Sequence, residues 1–385
     1  MRLLILTTIA PTIRGFLMPF AQHFRNLGWQ VDAMANGVSN CDDCRANFDN
    51  IWEVAWSRSP LDVNNFSRSI NRVQSLVRQN KYDIVHVHTP VASFVARLAL
   101  REVRLQGKLK VVYTAHGFHF YKGGSPLKNT AFRSLEKLAG RWTDYLVVMN
   151  QEDREAALRY RIVAPDRVRY MPGIGIDTAL YNAEQITEPA IAAVRSEIGL
   201  GKNEPLFVMV AEFIRRKRHK VVLQAFARLA HRRAHLALVG DGPLMDEQRA
   251  LAQELGIVER VHFMGHRNDV STIMRSSVAT LLPSVQEGLP RCVMESMSLK
   301  TPVIGSDIRG TRDLLCDDCG LLVRAGDIEG FARAMSWILA NPDKARAMGF
   351  RGHAKIVTGF DTRNIVALHE RLYADAVGEE LPFAG

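Results

Sequence analysis

Pro283-Ser-Val-Gln-Glu287-Gly288-Leu289-Pro290-Arg-Cys-Val-Met-Glu295-Ser-Met-Ser-Leu-Lys-Thr-Pro302-Val-Ile-Gly-Ser-Asp-Ile-Arg-Gly310 carries the chain from one apolar run through a turn and a helix to a second apolar run. The first run, Val278 to Leu282, stops at Pro283, and Pro290 stands where a first helical residue would, since its fixed φ suits that place and its missing N–H costs nothing there. Cys292, Val293, Met294 and Met297 give the helix an apolar side, and Thr301-Pro302 ends it before Val303 to Gly305. Strand, loop, helix and strand in this order predict two neighbouring parallel strands joined by a right-handed crossover. Two carboxylates, Glu287 in the loop and Glu295 on the second helical turn, flank the Gly288-Leu289-Pro290 turn and the unpaired backbone N–H groups of the helix N-terminus. Such a terminus attracts an anion, and a carboxylate can accept from both hydroxyls of a diol. A nucleotide diphosphate-sugar fits: phosphates on the amides, Glu287 on sugar hydroxyls, Glu295 on the ribose. The spacing alone suits an ordinary loop charge and a helix-surface charge equally well.

With 385 residues the chain exceeds the size at which one core stops growing, so two domains are expected. No apolar run reaches the roughly 20 residues of a membrane-spanning helix. Leu3 to Ile9 imitates a short signal peptide, but Pro11, Thr12 and Arg14 occupy the place of a cleavage site; a buried first strand and a cytoplasmic protein are the expectation. The five cysteines include two C-x2-C pairs, Cys41 with Cys44 and Cys316 with Cys319, too far apart in sequence to suggest one zinc site; reduced loop thiols are expected. Positive charge is uneven: residues 1–185 hold 24 Lys and Arg against 16 Asp and Glu, residues 186–385 hold 26 against 24. This asymmetry suggests an anionic partner surface, membrane before nucleic acid, because no nucleic-acid-binding motif accompanies it.

Strand and helix patterns alternate along the whole chain. Arg2 to Ile9 reads as a strand, with Gly15 in the turn before a helix from about Phe16, where backbone can approach a phosphate. Trp29 to Ala35, Tyr82 to His88, Lys110 to Ala115 and Tyr145 to Met149 read as further strands, residues 36–60 as loop and a short edge strand. This is the pattern of a doubly wound α/β sheet, whose ligands bind at the carboxyl ends of strands. His116 occupies such an end, where an imidazole can bond a sugar hydroxyl or move a proton; His86, His88 and His119 read as core packing. From Leu127 to Trp142, Leu127, Ala131, Leu135, Leu138 and Trp142 fall on one helical face and Arg133, Lys137 and Arg141 on a separate ridge, which suits either a membrane-surface helix or a solvated basic side. Pro172-Gly173-Ile-Gly175-Ile-Asp177 marks an interdomain linker. After the Leu206 to Val210 strand, Arg215-Arg216-Lys217-Arg218-His219-Lys220 clusters cations that can neutralise a leaving diphosphate. Gly240-Asp241-Gly242-Pro243 is no dinucleotide fingerprint, as its third glycine is absent.

The Glu287-Gly288-Leu289-Pro290 and Glu295 phrase closely resembles the EGLP-x3-E segment, with its Glu-x7-Glu spacing, of retaining glycosyltransferases of family 4. His116-Gly-Phe-His-Phe-Tyr121 resembles their bacterial exopolysaccharide and lipid-linked oligosaccharide transferases. The resemblance runs from Gly15 through the last helix. It implies a GT-B fold: two Rossmann-like domains facing a cleft, residues 1–180 binding acceptor and residues 181–361 binding nucleotide-sugar, with a helix from about 362–385 packing back on the first. It implies a retaining transfer from a UDP-sugar to a hydroxyl of a lipid-linked or polysaccharide acceptor. His116 would face the donor sugar, Lys217 would contact phosphate, and the Gly242 turn would lie near the nucleotide with Arg267 beside the base. Glu212 replaces the arginine of many members, and Arg216 or Arg218 is the substitute candidate. No Asp-x-Asp ligand pair appears, so no metal or other cofactor is expected. A nucleotide-sugar epimerase and a non-catalytic nucleotide-sugar-binding subunit are the alternatives.

Overall fold

A computed structural model describes residues 1–57, 62, 64–107, 109–201 and 203–378; of the expected segments, positions 58–60 of the 36–60 loop and 379–385 of the last helix lie outside the described residues. The chain divides into two compact units, Met1–Gly175 with Thr362–Gly385, and Ile176–Asp361. Strands of the first unit are β1 Arg2–Ile9, β2 Gln30–Asn36, β3 Asn50–Glu53, β4 Ile84–His88, β5 Lys110–Ala115, β6 Tyr145–Val148 and β7 Val168–Tyr170. They form a sheet in the order β3-β2-β1-β4-β5-β6-β7. Every pairing is parallel, with Leu3 beside Ile84 and Val112 beside Tyr145. The second unit repeats the plan with β8 Leu206–Val210, β9 His235–Val239, β10 Val261–Gly265, β11 Ala279–Leu282, β12 Val303–Ser306 and β13 Leu321–Val323, ordered β10-β9-β8-β11-β12-β13.

A parallel sheet covered on both faces needs strands that are apolar throughout, and β1 is buried from Leu3 to Thr8. In each unit apolar clusters fill both sides of the sheet. The C-terminal helix, Thr362–Val377, belongs to the first unit; Ile365, His369, Leu372, Tyr373 and Ala376, at helical spacing, bury one face against Phe20, Phe24 and Trp29. Strand order reverses at β1/β4 in the first sheet and at β8/β11 in the second, which places a switch-point crevice at each pair of strand ends.

Three expectations change, and one of two open readings of a helix falls. Cys41 and Cys44 are joined as a disulfide rather than held as free thiols, brought together by the start of the Asp42–Asn47 helix. Gly15 lies inside the Ala10–Phe16 helix, which starts earlier because Pro11 can occupy its first turn; a Cβ there would meet nothing within 4 Å, so no close backbone approach explains this glycine. The leucines of the Pro126–Gly140 helix do not form a buried stripe: Leu127, Leu135 and Leu138 are 82%, 46% and 41% exposed. That helix docks instead through Glu136, which pairs with buried Arg97 and accepts from the Tyr113 hydroxyl at 3.0 Å, so its leucines are turned to the surface. The three-residue basic ridge is also broken, since half-buried Arg133 lies over the Tyr160 ring at 4.6 Å, whereas Lys137 and Arg141 are exposed. No helix among the described residues is long and apolar enough to cross a membrane.

Candidate active site

In the second unit the loops after β8 and β11 meet at the switch point. The Val285 amide donates to the Arg216 carbonyl at 3.0 Å and ties one loop to the other. Lys217, in a short 3-10 turn, places Nζ 2.5 Å from Oε1 of Glu287, while Arg216 Nη1 lies 3.4 Å from both Glu287 oxygens. Buried Arg309 donates to the Glu287 carbonyl at 3.3 Å and holds the loop from behind. Gly310, at φ +73, closes this arrangement: a Cβ there would stand 2.0 Å from the Gly288 carbonyl oxygen. Glu287 is 9% exposed, so its charge is carried by the cations beside it rather than by water.

Pro290 is the N-cap of the Arg291–Ser298 helix, one position earlier than expected, and Leu289 packs half-buried beside it. Glu295 is 8% exposed and accepts from Arg291 Nε at 2.9 Å. Tyr181 also hydrogen-bonds Glu295; burial, and then that carboxylate's charge, push its hydroxyl up to about 12. Burial likewise pushes the Cys292 thiol up to about 12, which removes it as a nucleophile at neutral pH.

Gly242 and Arg267 line a separate pocket of about 460 Å³ with Glu212, Asp241 and His266 at the ends of β8, β9 and β10. Gly242 is required by close approach: at φ +150, its Cβ would lie 2.7 Å from the Phe213 amide nitrogen. Arg267 is less available to a base than the sequence suggests, because Glu197 at 2.5 Å and Asp269 at 2.8 Å grip its guanidinium. The same two acids hold its pKa above the usual arginine range.

In the first unit His116 follows β5, half-buried, with Nε2 3.0 Å from Nδ1 of His88. Burial, aided by repulsion from His369, lowers its pKa to about 4, so the ring is neutral at physiological pH. The loop beyond it is anchored by buried Asp153, whose carboxylate accepts from the Phe118 amide at 3.1 Å and from Asn150 Nδ2 at 2.8 Å. At the end of β4 sits Thr89 at φ +66, a strained place for a β-branched residue that costs of order 1–3 kcal/mol. Its hydroxyl bonds to the His88 carbonyl and to Thr8 hold it there.

Lys217, Arg216 and Glu287 are thus in direct contact, Glu295 lies on the following helix, and Gly242 with Arg267 forms the neighbouring pocket. Gly15 and His116 belong to the first unit. Sequence reading missed Tyr181, Arg309 and Asp153. Arg309 carried no signal of its own, with Asp307 two residues before it and Arg312 three after; Tyr181 lies 114 residues before Glu295 with no pattern to mark it.

Two Rossmann-like units, with cations and a carboxylate in contact at the second switch point, have the architecture of GT-B glycosyltransferases. Known proteins agree. The profile described as Glycosyltransferase Family 4 matches residues 16–180 and that described as Glycosyl transferases group 1 matches residues 191–355. EpsD of Bacillus subtilis (strain 168), named a glycosyltransferase, is 30% identical over 94% of each chain. The UDP-Gal:alpha-D-GlcNAc-diphosphoundecaprenol alpha-1,3-galactosyltransferase of Escherichia coli is 29% identical over 80% of each. The crystal structure of Anabaena HepE in complex with UDP and glucose superposes with a TM-score of 0.81 at 18% identity, covering 97% of this chain and 100% of that one. The chain belongs to glycosyltransferase family 4, with the GT-B fold.

Proposed function

We propose that the enzyme moves a sugar from a UDP-sugar to a hydroxyl of a lipid-linked or polysaccharide acceptor, with retention at the anomeric carbon. The observation that carries this reading is the contact of Lys217 and Arg216 with Glu287 at the second switch point. Cations there can take up charge on a departing diphosphate, and the adjacent carboxylate can accept from sugar hydroxyls. In this reading the bond from C1 to the diphosphate oxygen breaks, the acceptor oxygen bonds C1 on the same face, and the leaving diphosphate takes the acceptor proton. Lys217 and Arg216 stabilise the leaving group without a metal, helix-terminal amides beyond Gly288 and Leu289 bind phosphate, Glu295 meets the ribose, and His116 meets the sugar. A UDP donor and a diphosphoundecaprenol acceptor are supported by the name of the Escherichia coli relative, and UDP by the complex of the HepE structure.

The acceptor reading rests on the first unit. The exposed leucines of the Pro126–Gly140 helix lie among Lys128, Lys137 and Arg141, a composition suited to docking on an anionic membrane at its cytoplasmic face. Beside that helix a cavity of about 450 Å³ is lined by as many carboxylates, Glu152, Asp153 and Glu155, as cations, Lys122, Arg133 and Arg159, so the anionic-surface reading rests on the exposed helix face alone.

Incubation with a panel of UDP-sugars and polyprenyl-diphosphate-sugar acceptors, read by mass spectrometry, tests the proposal. One added sugar on the acceptor with release of UDP is expected, and NMR of the product should report the donor's anomeric configuration. A new sugar nucleotide formed without acceptor would identify an epimerase, and no turnover with any donor a binding subunit.

A further inference from the structure

His116 is one of four clustered imidazoles, and sugar transfer as proposed uses only this one. His86 and His88 project from β4, and His369 comes from the C-terminal helix. Ring centroids lie 4.2 Å apart for His86 and His88, 5.3 Å for His88 and His116, and 5.7 Å for His86 and His369. His88 is 3% exposed, too deep to touch a substrate, yet its Nδ1 lies 3.0 Å from Nε2 of His116. Its direction is fixed from both sides. On the backbone side, Thr89 is clamped in its left-handed conformation by Thr8. On the ring side, the adjoining His86 cannot turn, since Nδ1 meets the Tyr373 hydroxyl at 2.6 Å and Nε2 the Thr114 hydroxyl at 2.7 Å. Strain held in place by surrounding bonds next to a strand end is the kind of backbone that accompanies positioned functional groups.

We propose that His88 is a positioning residue for sugar transfer: by holding Nε2 of His116 it fixes that ring and leaves Nδ1 as the nitrogen presented to a sugar hydroxyl. Burial keeps both rings uncharged, so one proton is shared across the contact. When His88 Nδ1–H donates, His116 carries its own proton on Nδ1 and offers a donor; when His116 Nε2–H donates, Nδ1 is a bare acceptor. In both cases a single nitrogen faces the substrate in one orientation, whereas an untethered ring would rotate and present either edge. This inference rests on the proposed contact between His116 and the sugar.

The test follows UDP release from a UDP-sugar, with UDP affinity measured separately by calorimetry. His88→Leu removes the hydrogen bond and is expected to lower kcat about 100-fold, the scale of a small misplacement of a reacting group, with UDP affinity unchanged. His88→Asn, whose amide can occupy the Nδ1 position, is expected to restore most of that loss. In the His88→Leu/His116→Ala double variant the two losses should not multiply, because the first acts only through the second. Multiplying losses, or no rescue by Asn, assign His88 to packing and overturn the proposal. A loss in His116→Ala with none in His88→Leu also overturns it, while full activity of His116→Ala refutes the His116 reading beneath it. If His88→Leu fails to fold, ¹⁵N-labelled wild type decides: a nitrogen–nitrogen coupling between His88 Nδ1 and His116 Nε2 is expected, and its absence overturns the proposal.

Discussion

The two units share one architecture and prepare their switch points in opposite ways. At the ends of β4 and β5 stand His88 and His116, uncharged imidazoles bonded to one another. At the ends of β8 and β11 stand Lys217, Arg216 and Glu287, full charges in contact. The difference is one of desolvation. A lone imidazole loses its proton when buried and still keeps a donor or an acceptor, so neutral groups can be packed deeply without counter-ions. A buried carboxylate keeps its charge only beside cations, so Glu287 must be built together with Lys217. The first arrangement suits uncharged hydroxyls; the second suits a diphosphate whose charge grows as it leaves. Charge is thus concentrated where the leaving group would need it.

The largest effect should come from the charged side. Lys217→Ala is expected to lower turnover about 100- to 1,000-fold, the loss typical when one stabiliser of developing charge is removed, and to weaken UDP binding by much less. Steady-state kinetics with calorimetry checks this, and equal losses in both would assign Lys217 to ground-state binding. The thermal stability of the variant should be followed as well, because Glu287 then keeps only the more distant Arg216.

Acidification probes the neutral side. His369 is buried and its pKa is lowered to about 4 by that burial, against an ordinary value of 6.5. The unfolded chain therefore binds a proton that the folded chain refuses: the stability is fully present above about pH 6.5 and is lost as pH falls towards 4, on the order of 3 kcal/mol for this ring. His86, His88 and His116 shift in the same direction and add to the loss. Thermal melts of wild type and His369→Leu from pH 7.5 to 4.5 should show a smaller acid-induced drop in the variant; identical drops would mean that the buried rings do not govern acid stability.

Glu295→Ala sharpens the donor assignment. Losing hydrogen bonds to a charged group is expected to weaken UDP binding by about 1.5–3 kcal/mol. Unchanged affinity by calorimetry would leave Glu295 as a partner of Arg291 and Tyr181 only. The smallest effect concerns the surface. Lys137→Glu should weaken flotation on anionic vesicles by about 1–2 kcal/mol, less at high salt, with UDP binding untouched. Arg133→Gln should do more to the fold than to flotation, since that guanidinium is already stacked on Tyr160.

What the sequence determined by itself was local and periodic. Pro283, Pro290 and Pro302 punctuate β11, a helix and β12, and continuous apolar runs specify strands covered on both faces, because turn chemistry and burial are imposed within a few residues of the signal. His116 could be picked out because it stands just beyond a strand, Glu287 because it opens the turn before a helix, and the basic cluster because it follows a strand, with Lys217 singled out within it by the family resemblance. Partners were beyond its reach. Arg267 reads as a free cation until Glu197, 70 residues away, closes on it. Leu127, Leu135 and Leu138 suit a membrane-surface face or a buried stripe equally until the fold, with Glu136 bonded to Arg97, leaves them exposed. His88 reads as packing until β5 brings His116 alongside it. Periodicity tells which residues share a face, whereas only the folded chain decides which face is buried and which charges meet, because those choices depend on contacts between residues far apart in sequence.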